Sequence, residues 1–354
     1  MALLSVQDVV KHFPISGSSK VVQALNGVTL EIERGETVSL VGESGSGKTT
    51  VGRAVVGLLD VTSGAIVFDG MRMGGKRDIR SRDVRGRIQF VFQEPAESFN
   101  PREAVGLAMM EPLKYLRVNA HDRARRLGEV LQLIGMPESA ARALPSDLSP
   151  GMLQRAAVGR AIMSRPDLVV LDEPTSALDP TSRAEIVDLL MRLQREMETA
   201  YLFISHDLST VRALSDRIAV LYLGSVMENG PARDVFANPR HPYSVGLMAS
   251  VLLPHPGLKA PERLKLEGEI PSPVDLPPGC PLASRCPFVE PACRAAKPMS
   301  EYPAPGHLVH CIRHETVAAN VTTGADQFAE FRALSDAMLA RGLPTDPIYN
   351  GATT

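Results

Sequence analysis

Several broad classes are excluded by what this 354-residue sequence lacks. No run of 18 apolar residues occurs, so no segment reads as a membrane span. Its 38 basic and 40 acidic residues leave a net charge of -2, and no basic excess marks nucleic acid as the main partner. The opening stretch MALLSVQDVVKHF lacks the basic-then-apolar order of a secretory signal and reads more simply as a first strand. Cysteine is missing until Cys280, and no internal repeat is evident. The expectation is a cytosolic protein whose membrane link, if any, runs through a partner.

What is present is an α/β pattern with one strong motif. The apolar fraction is 44 %, and the length suggests about two domains. Gly42-Glu43-Ser44-Gly45-Ser46-Gly47-Lys48-Thr49 fits G-x-x-x-x-G-K-S/T, the phosphate-binding loop of nucleotide-hydrolysing proteins. The glycines let the backbone aim its N–H groups at phosphate oxygens. Lys48 can reach the β- and γ-phosphates, and the Thr49 hydroxyl can take a position on Mg²⁺. The flanks agree: residues 37–41 (TVSLV) read as a buried strand and 50–59 as a helix, whose positive dipole end lies under the same charge.

Further strands are expected within 3–35 and at 65–68, 88–92, 167–171, 201–204, 217–221 and 225–228. Residues 95–147 read as mainly helical. Leu127, Val130, Leu131 and Ile134 keep helical spacing up to Pro137. Ser149 suits the N-cap and Pro150 the first turn of the next helix. The strand at 167–171 delivers two adjacent carboxylates, Asp172 and Glu173, which are costly there unless they act. Asp172 can hold Mg²⁺ and Glu173 can polarise an attacking water. His206 follows another strand, at the edge of an α/β sheet where ligands collect. Gln93, at a strand end, could sense the γ-phosphate and Mg²⁺. Phe13 could stack on adenine or simply fill a core.

Six motifs stand in one order: GESGSGKT from 42, VFQEP from 91, LSPGMLQR from 148, LVVLDEP from 168, SALD from 176 and FISHD from 203. Over roughly residues 1–250 the chain resembles the nucleotide-binding subunit of an ATP-binding cassette transporter. FQEPAESFNPRE (92–103), HPYSVGLM (241–248) and GEIPSPVDLPPGCPLASRC (268–286) look like the oligopeptide/dipeptide importer subgroup. The resemblance implies a P-loop NTPase fold. Its parts are a RecA-like core, an antiparallel β subdomain and a helical subdomain near 95–155, all within 1–253. More than half of the 28 prolines lie from Pro254 onward, which suggests a boundary at 250–260 and a loop-rich extension over 254–320. Phe328, Phe331, Leu334 and Met338 suggest a helix within a last segment, 321–354.

The resemblance also implies roles. Two such subunits meet head to tail, and each ATP lies between one subunit's phosphate loop and the other's signature. In this chain Phe13, Gly42, Ser44, Gly45, Ser46, Gly47, Lys48, Thr49 and Thr50 would bind ATP. Thr49, Gln93 and Asp172 would hold Mg²⁺. Glu173 would be the catalytic base, His206 the γ-phosphate switch, and Gln93 the link to the membrane subunits. Ser149 and Gly151 would contact the partner's ATP, and Asp179 would lie at the dimer interface. The implied partners are a second, non-identical ATPase, two permease subunits and an external solute-binding protein, with this chain peripheral on the cytoplasmic face. The family usually reads L-S-G-G-Q at the signature. Pro150 replaces the first Gly and removes an N–H, which would weaken the ATP site that uses it.

Cys280, Cys286, Cys293 and Cys311 lie within 32 positions of each other. A cytosolic setting disfavours disulfides, and four thiolates suit an iron–sulfur cluster or tetrahedral zinc. The spacing C-x5-C-x6-C-x17-C is not a usual zinc-finger spacing. The resemblance favours a 4Fe–4S cluster, with zinc or free thiols as alternatives. His310, beside Cys311, reads as structural. The functional expectation is an ATPase subunit driving import of a peptide-like solute. The alternatives are a soluble regulatory ATPase without a permease and a non-catalytic ATP-binding scaffold, the latter opposed by intact Lys48, Asp172 and Glu173.

Overall fold

Apolar runs too uniform for alternation become strands buried on both faces. The computed structural model describes residues 2–73, 82–248, 264 and 266–320. The boundary expected at 250–260 and the segment 321–354, with Phe328, Phe331, Leu334 and Met338, lie outside the described residues. In chain order the strands are β1 (Leu4–Pro14), β2 (Val21–Ile32), β3 (Thr37–Val41), β4 (Ser63–Phe68), β5 (Met71–Met73), β6 (Ile88–Val91), β7 (Leu168–Asp172), β8 (Ala200–Ile204), β9 (Arg217–Tyr222), β10 (Ser225–Pro231), β11 (Glu301–Ala304) and β12 (His307–Val309).

Two sheets form among the described residues. One has the order β2-β1-β4-β5 and is antiparallel throughout. The larger has the order β11-β12-β10-β9-β3-β8-β7-β6. Its centre is parallel, from β9 through β3, β8 and β7 to β6. Every residue of β3, β7 and β8 is buried. Alternate residues then face opposite cores. Val169, Leu171, Tyr201 and Phe203 pack under the helices Ala120–Leu133, Pro150–Ile162 and Pro180–Met197. Leu168, Val170, Leu202 and Ile204 pack with the helix Lys48–Val55 and with β1 and β2. Parallel pairing brings the carboxyl ends of β3, β7 and β8 to one edge, where the phosphate loop, Asp172-Glu173 and Ser205-His206 emerge.

The helical segment matches its pattern. Asn119 caps Ala120–Leu133 by accepting from the Asp122 N–H at 2.9 Å. That helix closes at Ile134 and Gly135, the latter at φ +67°, before Pro137 is reached.

The cysteine-bearing extension is less loop-like than its composition suggests. β12 pairs antiparallel with β10 (Glu228↔Val309, Asn229↔Leu308), so the extension widens the central sheet. The run HLV is too short to carry a strand period of its own. It is secured by Glu228, which is fully buried. The carboxylate accepts the Arg240 N–H at 2.8 Å and the His241 N–H at 2.9 Å, and lies 2.6 Å from His307 Nε2. Burial pushes the His241 imidazole down to about 3, so it stays neutral, with Nδ1 accepting the Tyr243 N–H. Replacing His307 by Ala leaves the buried carboxylate short of a partner. The substitution is expected to lower unfolding free energy by about 2 kcal/mol, read as a lower midpoint in chemical denaturation; an unchanged midpoint would show that the contact is dispensable.

Candidate active site

The phosphate loop runs from β3 into the helix Lys48–Val55 and is shaped by glycine where other residues do not fit. At Gly42 a Cβ would lie 2.2 Å from the Leu221 carbonyl oxygen, and at Gly47 one would lie 2.7 Å from that of Ala24. Gly47 has φ +105° and starts the helix. Gly45 is different: a Cβ there would meet nothing within 4 Å, so the loop is open on that side. Such a cradle fits a polyphosphate.

Lys48 is 6 % exposed and donates from Nζ to the Gly42 carbonyl at 2.8 Å and the Glu43 carbonyl at 2.9 Å. Burial lowers its ammonium from the usual lysine range, against the pull of Glu173 and Asp172. Asp172 is 3 % exposed; burial raises its carboxyl, while the Thr49 hydroxyl, donating to Oδ1 at 2.9 Å, pulls the other way. A hydroxyl and a carboxylate at that spacing are oxygen donors of the kind Mg²⁺ takes.

Glu173 leaves β7 at φ 47°, a conformation rare for a residue with a side chain, and its N–H donates to the Ile204 carbonyl at 2.8 Å. Its Oε2 is 3.3 Å from Gln93 Nε2, which donates, and 3.1 Å from His206 Nδ1. Two side chains from neighbouring strand ends, Gln93 and His206, thus converge on one oxygen of Glu173. They border a cleft of about 690 Å³ lined also by Ser44, Gly45, Lys48, Thr49 and Thr50.

The other site residues fall elsewhere. Phe13 does not line this cleft. It pairs with Val22 across β1 and β2, and the Lys11 ammonium lies 4.9 Å over its ring. In its place the wall is made by Val22, Ala24 and Pro273. Ser149 and Gly151 sit at the start of the helix Pro150–Ile162, outside the cleft lining. Ser149 Oγ accepts the Met152 N–H at 3.3 Å, and Pro150 occupies the first helical position without disturbing that cap. Asp179 caps Pro180–Met197, accepting from the N–H groups of Thr181 and Ser182. Hydrogen bonding to Ser182 holds its carboxyl below the usual range.

The chain is 38 % identical over 321 residues to the oligopeptide transport ATP-binding protein OppF of Salmonella typhimurium, covering 88 % of this chain and 96 % of that one. The chain belongs to the ABC transporter family. The family model described as "ABC transporter" matches residues 25–176, and that described as "Oligopeptide/dipeptide transporter, C-terminal region" matches 227–293. AppF of Bacillus subtilis, also an oligopeptide transport ATP-binding protein, is 39 % identical over 317 residues, 87 % of this chain and 96 % of that one. Among solved structures, a dimeric ATP-binding cassette in a post-hydrolysis state bound to ADP and Pi is 29 % identical with a TM-score of 0.59, covering 65 % of this chain and 99 % of that one. This ABC protein is therefore an ATP hydrolase by family, with a P-loop cassette fold, and ATP and Mg²⁺ are the cofactors that go with it.

The cysteines form a second cluster. Burial is the largest influence pushing the Cys280 thiol up to about 11, the Cys311 thiol to about 12 and the Cys286 thiol upward; neighbouring thiols add to it. The Cys280 N–H donates to the Cys293 carbonyl at 2.8 Å. Among the described residues, however, no three Cys, His, Asp or Glu groups are arranged to hold a metal ion. The expected iron–sulfur cluster finds no support in this arrangement. His310 is structural: Nδ1 lies 2.6 Å from the Val226 carbonyl and Nε2 3.0 Å from Ser300 Oγ.

Proposed function

We propose that this chain is the motor subunit of a membrane importer, coupling ATP hydrolysis to uptake of peptides or a related solute. The convergence of Gln93 and His206 on Glu173, beside the Thr49–Asp172 pair, carries the catalytic part of this reading. The solute class is supported by relatives such as OppF and AppF and by the matched C-terminal region. No helix among the described residues is long and apolar enough to cross a membrane, so the path for solute belongs to partner permeases. The reading places the chain on the cytoplasmic face, with a second ATPase, two permease subunits and an external binding protein. The cassette would span 1–253 and the extension 254–320.

In this reading Thr49, Asp172 and Gln93 would hold Mg²⁺, which would offset phosphate charge when bound. Lys48 exchanges loop carbonyls for β- and γ-phosphate oxygens. Glu173 accepts a proton from the attacking water, and His206 and Gln93 fix the rotamer of its carboxylate. Ser149 and Gly151 are directed to the partner's nucleotide. There Pro150 supplies no N–H, so the site that uses this signature is the weaker of two. A non-identical partner follows, whose own signature completes the site containing Glu173. Asp179 contributes to the same interface. A four-thiolate iron–sulfur site is supported by the closeness of Cys280, Cys286, Cys293 and Cys311 and opposed by their present placement.

Glu173→Gln in the assembled transporter is expected to cut ATP turnover by about 10²–10⁴-fold and uptake with it. Retained turnover would move hydrolysis to the partner subunit. Pro150→Gly is expected to raise ATPase and transport rates, and unchanged rates would show that proline costs the signature nothing. Purification without air tests the cysteine site: brown, iron-containing protein would support the four-thiolate cluster, and a colourless, iron-free preparation would end that reading.

A further inference from the structure

Glu43, the second residue of the phosphate loop, has each of its polar groups taken by a different element. Its N–H donates to the Tyr243 hydroxyl at 2.7 Å. Its carbonyl accepts from Lys48 Nζ at 2.9 Å. Its carboxylate accepts from Arg285 Nη1 at 3.3 Å. Tyr243 lies in HPYSVGLM and Arg285 in the cysteine-bearing stretch, so two motifs with no part in the chemistry above meet at the loop. The contact is built rather than incidental. Arg285 is only 11 % exposed and also donates to the Tyr222 hydroxyl at 3.2 Å. The Tyr222 and Tyr243 rings pack at 4.7 Å between centroids.

A second set of contacts joins the extension to β2 and the turn before it, beside the cleft residues Val22 and Ala24. The Gln23 N–H of β2 donates to the Pro273 carbonyl at 2.9 Å, and Lys20 pairs with Asp275 at 2.8 Å. Pro273 itself lines the cleft with Val22 and Ala24.

The geometry points to the extension as a working part of the nucleotide site, with Arg285 as a positioning residue acting through Glu43 and Pro273 as a wall. This rests on reading the cleft as the ATP site. The electrostatic logic is direct. A carboxylate inside a phosphate-binding loop repels a polyphosphate. Arg285, itself only 11 % exposed, balances that charge where screening is weak. Docking of the extension and binding of nucleotide then favour each other, and the coupling is reciprocal.

The test is MgATP affinity of the full chain by calorimetric titration. Arg285→Met is expected to raise the dissociation constant about fivefold to tenfold, by freeing the carboxylate. Glu43→Gln removes the charge to be balanced, so adding Arg285→Met to it is expected to change affinity by less than about twofold, a non-additivity that general loosening would not produce. Unchanged affinity in Arg285→Met, or a loss as large when it is added to Glu43→Gln, overturns the inference. A wild type that fails to bind MgATP overturns instead the reading of the cleft. Should Arg285→Met not fold, amide exchange in the native chain decides. Saturating MgADP is expected to slow exchange at Gln23, and an unchanged rate overturns the coupling.

Discussion

The removal of two opposite charges from water constrains the rest of this site. Lys48 and Asp172 are both nearly inaccessible, and each is shifted toward its neutral form by burial. A fold keeps such groups only if their surroundings supply what water did. Here the loop carbonyls accept hydrogen bonds from the ammonium, and the Thr49 hydroxyl donates one to the carboxylate. Those partners exist because β3 and β7 are buried on both faces and end together at one edge of a parallel sheet. The close backbone packing at Gly42 and Gly47 follows from the same requirement. The loop must wrap tightly enough for its carbonyls to reach the lysine.

Most of this was legible in the sequence because the information is local. A phosphate loop carries its strand, glycines and helix within a score of residues. Asp172 and Glu173 stand out because two carboxylates end an apolar run. Gln93, Glu173 and His206 were singled out one by one through the resemblance, and the parallel sheet brings their strand ends together. The helix start at Ser149 was readable from residue type, and the structure shows its side chain capping.

What escaped the sequence depends on contacts between distant positions. Tyr243 meets Glu43 from 200 residues away and Arg285 from 242. Nothing in either local stretch marks that partner, although both stretches resemble subgroup motifs. Pro273 in the cleft wall is of the same kind. Phe13, whose position suggested an adenine platform, pairs with Val22 of the cleft wall, and its ring lies under Lys11. The strand at 307–309 was hidden by shortness, since three residues carry no period and only the edge of β10 makes them a strand.

That last pairing has a consequence for how the chain is made. β10 donates and accepts along its outer edge only once β12 arrives, and Glu228 waits for His307, 79 positions later. During synthesis the cassette's sheet is therefore complete through its catalytic strands while one edge is still open and one buried carboxylate still lacks its imidazole. An open edge invites pairing with other chains. The arrival of residues 301–309 thus moves the open edge from β10 to the four-residue β11 and gives Glu228 its imidazole.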